Sequence, residues 1–176
     1  MSEQIILRPS AEADIPAIQA IYAHAVLHGT GTFETEVPDV PEMARRRAEV
    51  LSRGLPYLVA EVGGQVTGYA YANYFRPRLA YRYCLEDSIY LAPGAQGQGL
   101  GKLLLAELMA RCEAAGGRQM LAVIGDAENE GSIGVHAALG FEHTGVLKSS
   151  GWKFGRWLDV VLMQRQLGTG NESNPE

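Results

Sequence analysis

Apolar positions along this chain alternate between the period of a strand and the period of a helix, and the switches outline its elements. Ile5-Ile6-Leu7-Arg8 is a short apolar run closed by Pro9, which predicts a strand. Ile15, Ile18, Tyr22, Ala25 and Val26 then recur at helical spacing. Ser10 and Asp14 stand ahead of them as caps, and Pro16 falls in the first turn, where its missing N–H costs little. A polar, glycine-rich loop follows, His28-Gly29-Thr30-Gly31-Thr32-Phe33-Glu34. A second helix is expected from about Val40 to Arg53, burying Val40, Met43, Val50 and Leu51, with Arg45, Arg46 and Arg47 mostly facing water and Gly54 as its stop. Tyr57 to Val62 and Gln65 to about Tyr74 form a hairpin across Gly63-Gly64. A proline-stiffened loop, Phe75 to Tyr81, leads to a strand from about Arg82 to Leu91.

The second half opens with a Pro93-Gly94 turn and the run Gln96-Gly97-Gln98-Gly99-Leu100-Gly101-Lys102. A helix begins directly in that run, with Leu100, Leu103, Leu104, Leu108 and Cys112 on its stripe, and ends at Gly116-Gly117. Met120 to Ile124 is nearly continuous apolar sequence, as in a strand buried on both faces. Strand, loop, helix and strand in this order make a right-handed crossover, so the two strands are expected to be parallel. A short helix starts between Asp126 and Glu130, passes through Ile133, Val135 and Leu139, and stops at Gly140. Phe141 to Leu147 reads as a strand, Ser149-Ser150-Gly151 as a turn, and Trp157 to Arg165 as a final alternating strand. One mixed α/β domain over residues 1–167 is expected, followed by a disordered tail over 168–176, which lacks apolar content.

Composition narrows the class. The chain has 176 residues, 47% of them hydrophobic and 20% charged, enough for one full core. A net charge of −5 and a pI near 5.4 argue against nucleic acid as a partner. With no apolar run of membrane-spanning length and no signal-like start, neither a membrane role nor export is expected, and the protein is placed in the cytoplasm. Cys84, Cys112 and the four histidines have no metal-ligand spacing, so no metal is expected. Cys112 lies on an apolar helical stripe as a small core residue.

The glycine run carries the chemistry. Three glycines allow a ligand close to the backbone, and the free N–H groups of a helix start point outward with the helix dipole behind them, which suits a diphosphate. A Walker loop would need a hydroxyl after Lys102, where Leu103 stands, and the glycines at 97, 99 and 101 do not follow the dinucleotide spacing. The pattern resembles the acetyl-CoA pyrophosphate loop of the GNAT N-acetyltransferase superfamily, written Q/R-x-x-G-x-G/A, with Gln96, Gly99 and Gly101 in its places. Asn129, Ser132, Ile133, Val135, His136 and Gly140-Phe141 resemble that superfamily's second motif, in which a tyrosine stands where this chain has His136.

Three further stretches resemble the phosphinothricin and methionine sulfoximine N-acetyltransferase group over roughly the first 167 residues. They are Thr32-Phe33-Glu34, then Phe75-Arg76-Pro77-Arg78 with Ala80-Tyr81-Arg82 and Glu86-Asp87-Ser88, and Lys153 to Asp159. The resemblance implies the GNAT fold, a central, mostly antiparallel twisted sheet with one splayed parallel pair and flanking helices. It implies acetyl-CoA as co-substrate, bound by Ile89, Tyr90, Leu91, the run Gln96, Gly97, Gln98, Gly99, Leu100, Gly101 and Lys102, and by Asn129 and Ser132. It implies an amino-acid-like acceptor bound among Phe33, Asn73, Arg76, Pro77, Arg78, Tyr83, Glu86, Asp87 and Ser88. Arginine's planar fork suits the anionic groups of such an acceptor.

A mostly protonated amine needs a base, and Glu86 is the candidate, with Asp87 pointing to the opposite strand face and the weaker choice. His136 is expected to donate toward the departing thiolate or to pack beside pantetheine. Cys84 as an acyl carrier lacks a histidine partner. The resemblance also implies a homodimer, with Lys153 and Arg156 on a hairpin reaching the partner subunit. An acetyltransferase for a protein N-terminus or an antibiotic amine, and an inactive acyl-CoA-binding module, are the alternatives.

Overall fold

A computed structural model describes residues 4–176; the first three residues of the expected domain lie outside the described residues. In chain order the elements are β1 (Ile5–Pro9), α1 (Ile15–His28), α2 (Val40–Ser52), β2 (Tyr57–Val62), β3 (Gln65–Tyr74), β4 (Cys84–Leu91), α3 (Leu100–Ala114), β5 (Gln119–Gly125), α4 (Glu130–Ala138), β6 (Glu142–Lys153) and β7 (Arg156–Gln166). One-turn 3-10 helices precede α1, β4 and α3. The strands make one seven-stranded sheet in the order β1-β2-β3-β4-β5-β7-β6. Every neighbouring pair is antiparallel except β4 and β5, which run parallel as the crossover through α3 requires.

Two helical layers cover the first half of the sheet. Leu58 and Ala70 face each other in the β2–β3 register and pack toward α3, whose Leu104, Leu105, Leu108 and Cys112 are fully buried. Tyr57, Tyr69 and Tyr71 stack on the opposite face under α1 and α2, and Tyr22 of α1 meets Tyr90 of β4 edge to face at 5.1 Å. The expected stripes hold with local exceptions. Leu103 of α3 and Val40 and Leu51 of α2 remain exposed, because the neighbouring turns already fill the contact with Leu105, Met43 and Val50. Met120, Ala122 and Ile124 of β5 are buried, but Val123 is 39% exposed, so the strand is not covered on both faces.

Several local expectations need correction. Ser10 and Asp14 do not cap α1 with their side chains: Ser10 Oγ accepts from Arg47 Nε at 2.7 Å, and Asp14 accepts the Ala11 N–H at 2.7 Å. Arg46 is not simply a solvated charge. Its guanidinium reaches Glu34 at 3.0 and 2.7 Å and Glu42 at 2.8 Å. The serine pair expected as a turn lies inside β6 as an irregularity between Leu147 and Gly151. Asp159 across the hairpin accepts the Ser149 N–H at 2.8 Å, which absorbs the extra residues without ending the strand. The turn falls at Phe154 and Gly155, both with positive φ. Helix α4 begins at Glu130, one residue after its cap Asn129. Residues 168–176 form no helix or strand; Arg118 donates to the Thr169 hydroxyl at 2.6 Å and to the Gly170 carbonyl at 2.9 Å.

The first strand is tied to the body by charge. Arg8 donates to Asp14 at 2.8 and 2.9 Å and to Glu61 at 3.1 and 3.0 Å, and the Asp14 side chain is 8% exposed. The hydrogen bonds from Arg8 hold the Asp14 carboxyl below its ordinary 3.8, against the opposing effect of burial. A depressed pKa contributes stability above the unfolded value and loses it as pH falls through the folded one. Asp14→Asn is therefore expected to cost about 1.5–3 kcal/mol in urea unfolding at neutral pH, the range for hydrogen bonds to charged groups. The difference from the parent should shrink as pH falls below 3.8.

Candidate active site

The parallel pairing of β4 with β5 lasts only three residue pairs, Cys84 with Gln119, Leu85 with Met120 and Glu86 with Leu121. Beyond Glu86 the two strands part, and a cleft of about 770 Å³ opens between them. Ser88, Ile89, Tyr90 and Leu91 line one wall and Val123, Ile124 and Gly125 the other, which is why Val123 is exposed. A strand edge without a neighbour leaves backbone N–H and C=O groups that a ligand's amides can pair with.

The glycine run forms the end of this cleft. Gly97 and Gly99 have φ of +74° and +79°, a backbone region that L side chains avoid, so the loop turns sharply into α3. Gln96, Gly97 and Gly101 line the cleft, while Gln98 donates to the Gly94 carbonyl at 3.1 Å and Lys102 is exposed. Leu100 is buried and anchors the first turn. Asn129 caps α4 by accepting the Ser132 N–H at 3.2 Å, and both residues line the cleft. The splayed edge, the positive-φ loop and the amide-lined helix start together fit an extended pantetheine arm ending in a diphosphate.

Glu86 stands where the strands separate, half-buried at the cleft wall. Desolvation, then the neighbouring Asp87 charge, raises its carboxyl above the ordinary range, opposed by the field of Arg76. Among the described residues, nothing forms an ion pair with it. Asp87, on the opposite strand face as alternation predicts, is 7% exposed and faces α4. His136 Nε2 lies 3.0 and 3.2 Å from its two carboxylate oxygens, and His136 Nδ1 donates to the Ser132 carbonyl at 2.7 Å. Both neighbours accept, so a doubly protonated ring satisfies both. Burial opposes that charge, but the Asp87 hydrogen bond and charge and the Ser132 carbonyl raise the His136 pKa overall. The expected donation to a departing thiolate would compete with two existing contacts. The Asp87 carboxylate is likewise engaged by His136 rather than open to an acceptor.

The acceptor residues do not all converge. Phe33, Glu86 and Ser88 all line the cleft. Asn73 pairs with Glu86 in the β3–β4 register, but its side-chain oxygen accepts from Arg53 and from the Tyr74 N–H at 2.9 Å. Arg76, Pro77 and Arg78 sit on the exposed loop ahead of β4, and Arg76 lies 4.9 Å over the Phe75 ring. The Tyr83 hydroxyl donates to Glu176 at 3.2 Å. Lys153, expected on the outward hairpin, turns inward: it is 3% exposed, and Nζ donates to the Gly29 and Thr32 carbonyls at 2.8 and 2.9 Å.

Sequence reasoning also missed Asp126. Its carboxylate accepts from Thr30 Oγ1 at 2.9 Å and Arg156 at 3.0 Å, and its φ of +75° turns the chain out of β5. A residue after a strand end and before a capped helix was the available signal, but its long-range partners lay outside any local pattern.

A sheet parted along a parallel pair, with a glycine-rich helix start at its end and a carboxylate at its fork, defines an acyl-CoA-dependent transferase. The acetyltransferase (GNAT) family pattern matches residues 19–141. The chain belongs to this family, and it is an acetyl-CoA-dependent N-acetyltransferase. A phosphinothricin N-acetyltransferase of Alcaligenes faecalis is 56% identical over 170 residues, covering 97% of this chain and 86% of the relative. An L-methionine sulfoximine/L-methionine sulfone acetyltransferase of Salmonella typhimurium is 41% identical, over 92% of this chain and 94% of the relative. The crystal structure of a phosphinothricin acetyltransferase from Sinorhizobium meliloti in complex with AcCoA is similar at a TM-score of 0.95 and 50% identity, covering 100% of this chain and 94% of that one.

Two outcomes follow from the cleft. A Cβ on Gly101 would rest 3.5 Å from Leu91 and 3.7 Å from Val135, ordinary contacts, so Gly101→Val should fold while its side chain enters the cleft. Calorimetry should show CoA binding weakened at least about tenfold, a loss near 1.4 kcal/mol. Undiminished affinity would count against the cradle.

Asp87→Asn leaves His136 buried without its carboxylate, so the ring pKa should fall below the ordinary 6.5 in an NMR titration. A raised folded pKa stabilises below the unfolded value and loses that contribution as pH rises through the folded one. The parent's loss of stability on this rise should therefore flatten in the variant.

Proposed function

We propose that this enzyme moves the acetyl group of acetyl-CoA to the α-amine of a small amino-acid-like acceptor of the phosphinothricin, methionine sulfoximine or methionine sulfone type. Transfer is direct, within a complex of both substrates. Glu86 is the general base. The observation that carries this is the position of its carboxylate, at the fork of β4 and β5 and raised in pKa by burial. A base poised nearer the working pH takes the ammonium proton directly or through a water, and the neutral amine then attacks the thioester carbonyl. A backbone N–H of the unpaired β4 edge polarises that carbonyl as charge develops on its oxygen. The C–N bond forms and the C–S bond breaks, CoA leaves as its thiolate, and the proton shed by the new amide nitrogen is taken up by that thiolate.

The similarity to acetyltransferases named for phosphinothricin and methionine sulfoximine supports the acceptor class. Arg76 and Arg78 supply cations for its anionic groups from the loop before β4, and the field of Arg76 reaches Glu86. Phe33 walls the acceptor side. A homodimer is supported by the exposed apolar side chains of the last hairpin. Trp152, Phe154 and Trp157 are each more than half exposed there, with Leu147 close to half. The enzyme works in the cytoplasm; among the described residues no helix is long and apolar enough to cross a membrane.

Glu86→Gln keeps the shape and removes the base. A kcat loss of about 10²–10⁴-fold is expected, the range for a positioned base, with CoA affinity unchanged. Steady-state assays with methionine sulfoximine, methionine sulfone and phosphinothricin test it, and a pH–rate profile equal to the parent's would exclude Glu86 as the base.

A further inference from the structure

The loop between α1 and α2 carries Phe33, yet little apolar packing holds it in place. Its attachments are mostly polar: Arg46 and Tyr22 hold Glu34 and Thr32 from the helical side, and a further one comes from the far end of the chain. Lys153 buries its ammonium beneath the loop and donates to the backbone carbonyls of Gly29 and Thr32, 2.8 and 2.9 Å away. No carboxylate pairs with this ammonium among the described residues. A buried lysine held by two carbonyls, with the Phe154 ring 5.0 Å from its ammonium, still costs desolvation, and burial lowers its pKa against the opposing field of Glu34. Such an arrangement is wasteful as a fold-stabilising device, where an uncharged side chain of similar size would do. What it does provide is a fixed position for two peptide groups that flank Thr30 and precede Phe33.

The surroundings of Phe33 show why that position matters. The ring lies against two strand glycines, Gly125 at the end of β5 and Gly151 of β6. A Cβ on Gly125 would fall 2.9 Å from the ring and 2.4 Å from the Thr30 carbonyl, and one on Gly151 would fall 2.3 Å from the ring. The backbone has been cleared of side chains to admit the ring in this one place. A second polar tie, from the Thr30 hydroxyl to Asp126 at 2.9 Å, fixes the same loop to the β5 end.

We propose that Lys153 is a positioning residue for acceptor specificity: by clamping the carbonyls of Gly29 and Thr32 it seats Phe33 in the Gly125–Gly151 slot and so sets the wall of the acceptor side of the cleft. This rests on the acceptor assignment made above for Phe33. Lys153 touches neither substrate; it acts through the loop. The glycine run and α4, which build the acetyl-CoA side of the cleft, receive no hydrogen bond from Lys153.

The test separates a positioning role from a structural one. Lys153→Met keeps length and apolar stem but removes both hydrogen bonds. The acceptor KM should rise about tenfold while the KM for acetyl-CoA stays within about twofold, since only ground-state acceptor contacts are disturbed. Phe33→Ala should raise the acceptor KM similarly, and the double variant should be little worse than either single one, because both remove the same wall. Additive effects, or equal losses toward both substrates, would overturn the proposal. Hydrogen exchange over residues 29–34 should quicken in Lys153→Met relative to the parent, and unchanged exchange would also overturn it. If Lys153→Met does not fold, Lys153→Gln takes its place, keeping a donor but shortening its reach. It must give the same split at smaller size, and the absence of a split would count against the clamp. If the parent acetylates no amino acid, the acceptor assignment fails on its own account, while the exchange comparison still decides whether Lys153 holds the loop.

Discussion

The separation of β4 from β5 after Glu86 is the constraint on which the site depends. Had the parallel ladder continued, Ile89, Tyr90 and Leu91 would spend their backbone groups on β5 and no cleft would exist. The two strands are kept apart by what each one is committed to on leaving the pair. β4 sends Asp87 into α4, where His136 receives it at 3.0 Å. β5 runs on with β7 as far as Gly125, and there meets the α1–α2 loop, whose Thr30 carbonyl leaves no room for a side chain. An open edge inside a protein is costly unless something pairs with it. A ligand with its own amides offsets that cost, and this ties the fold to an acyl carrier of pantetheine type rather than to a compact nucleotide.

Much of this order was legible in the sequence, because strand, glycine loop, helix and strand each carry a local signal of periodicity or backbone freedom. Face assignment was legible too: alternation put Asp87 opposite Glu86, and so it stands. What alternation does not contain is the identity of the group that packs on each face. His136 was weighed as a thiolate donor because it stands where the resembling superfamily has a tyrosine, but only tertiary structure brings Asp87 to its Nε2. Ser149-Ser150-Gly151 has turn composition, yet Asp159 ten residues on supplies the hydrogen bond that keeps it within a strand. Arg46 was read as mostly facing water and Lys153 as part of a hairpin reaching a partner subunit, because their partners, Glu34 and the Gly29 and Thr32 carbonyls, lie outside any local pattern.

These long-range ties share one feature: they converge on the α1–α2 loop from opposite sides. From the helical side, Arg46 holds Glu34, which also accepts from the Tyr22 hydroxyl, and Tyr22 contacts the Thr32 hydroxyl at 2.9 Å. From the sheet side, Lys153 holds two carbonyls and Asp126 holds Thr30. A glycine-containing loop with few buried apolar residues would otherwise sample many conformations, each costing entropy to fix. Polar ties with defined geometry select one of them, which apolar burial alone does poorly at a site that must stay open to solvent.

The same pattern of internal ties divides the cations of a protein of net charge −5 into committed and free ones. Arg8, Arg46 and Arg156 are each committed to carboxylates within the chain, and Lys153 to carbonyls. Arg76 and Arg78 stand apart from these commitments: among the described residues neither enters an ion pair, and both are exposed on the loop that leads into β4. Internal pairing neutralises these basic residues and leaves Arg76 and Arg78 without an ion pair on the loop ahead of β4. Net charge therefore says little about the potential at the cleft, because that potential is set by which few cations remain free and where the sheet places them.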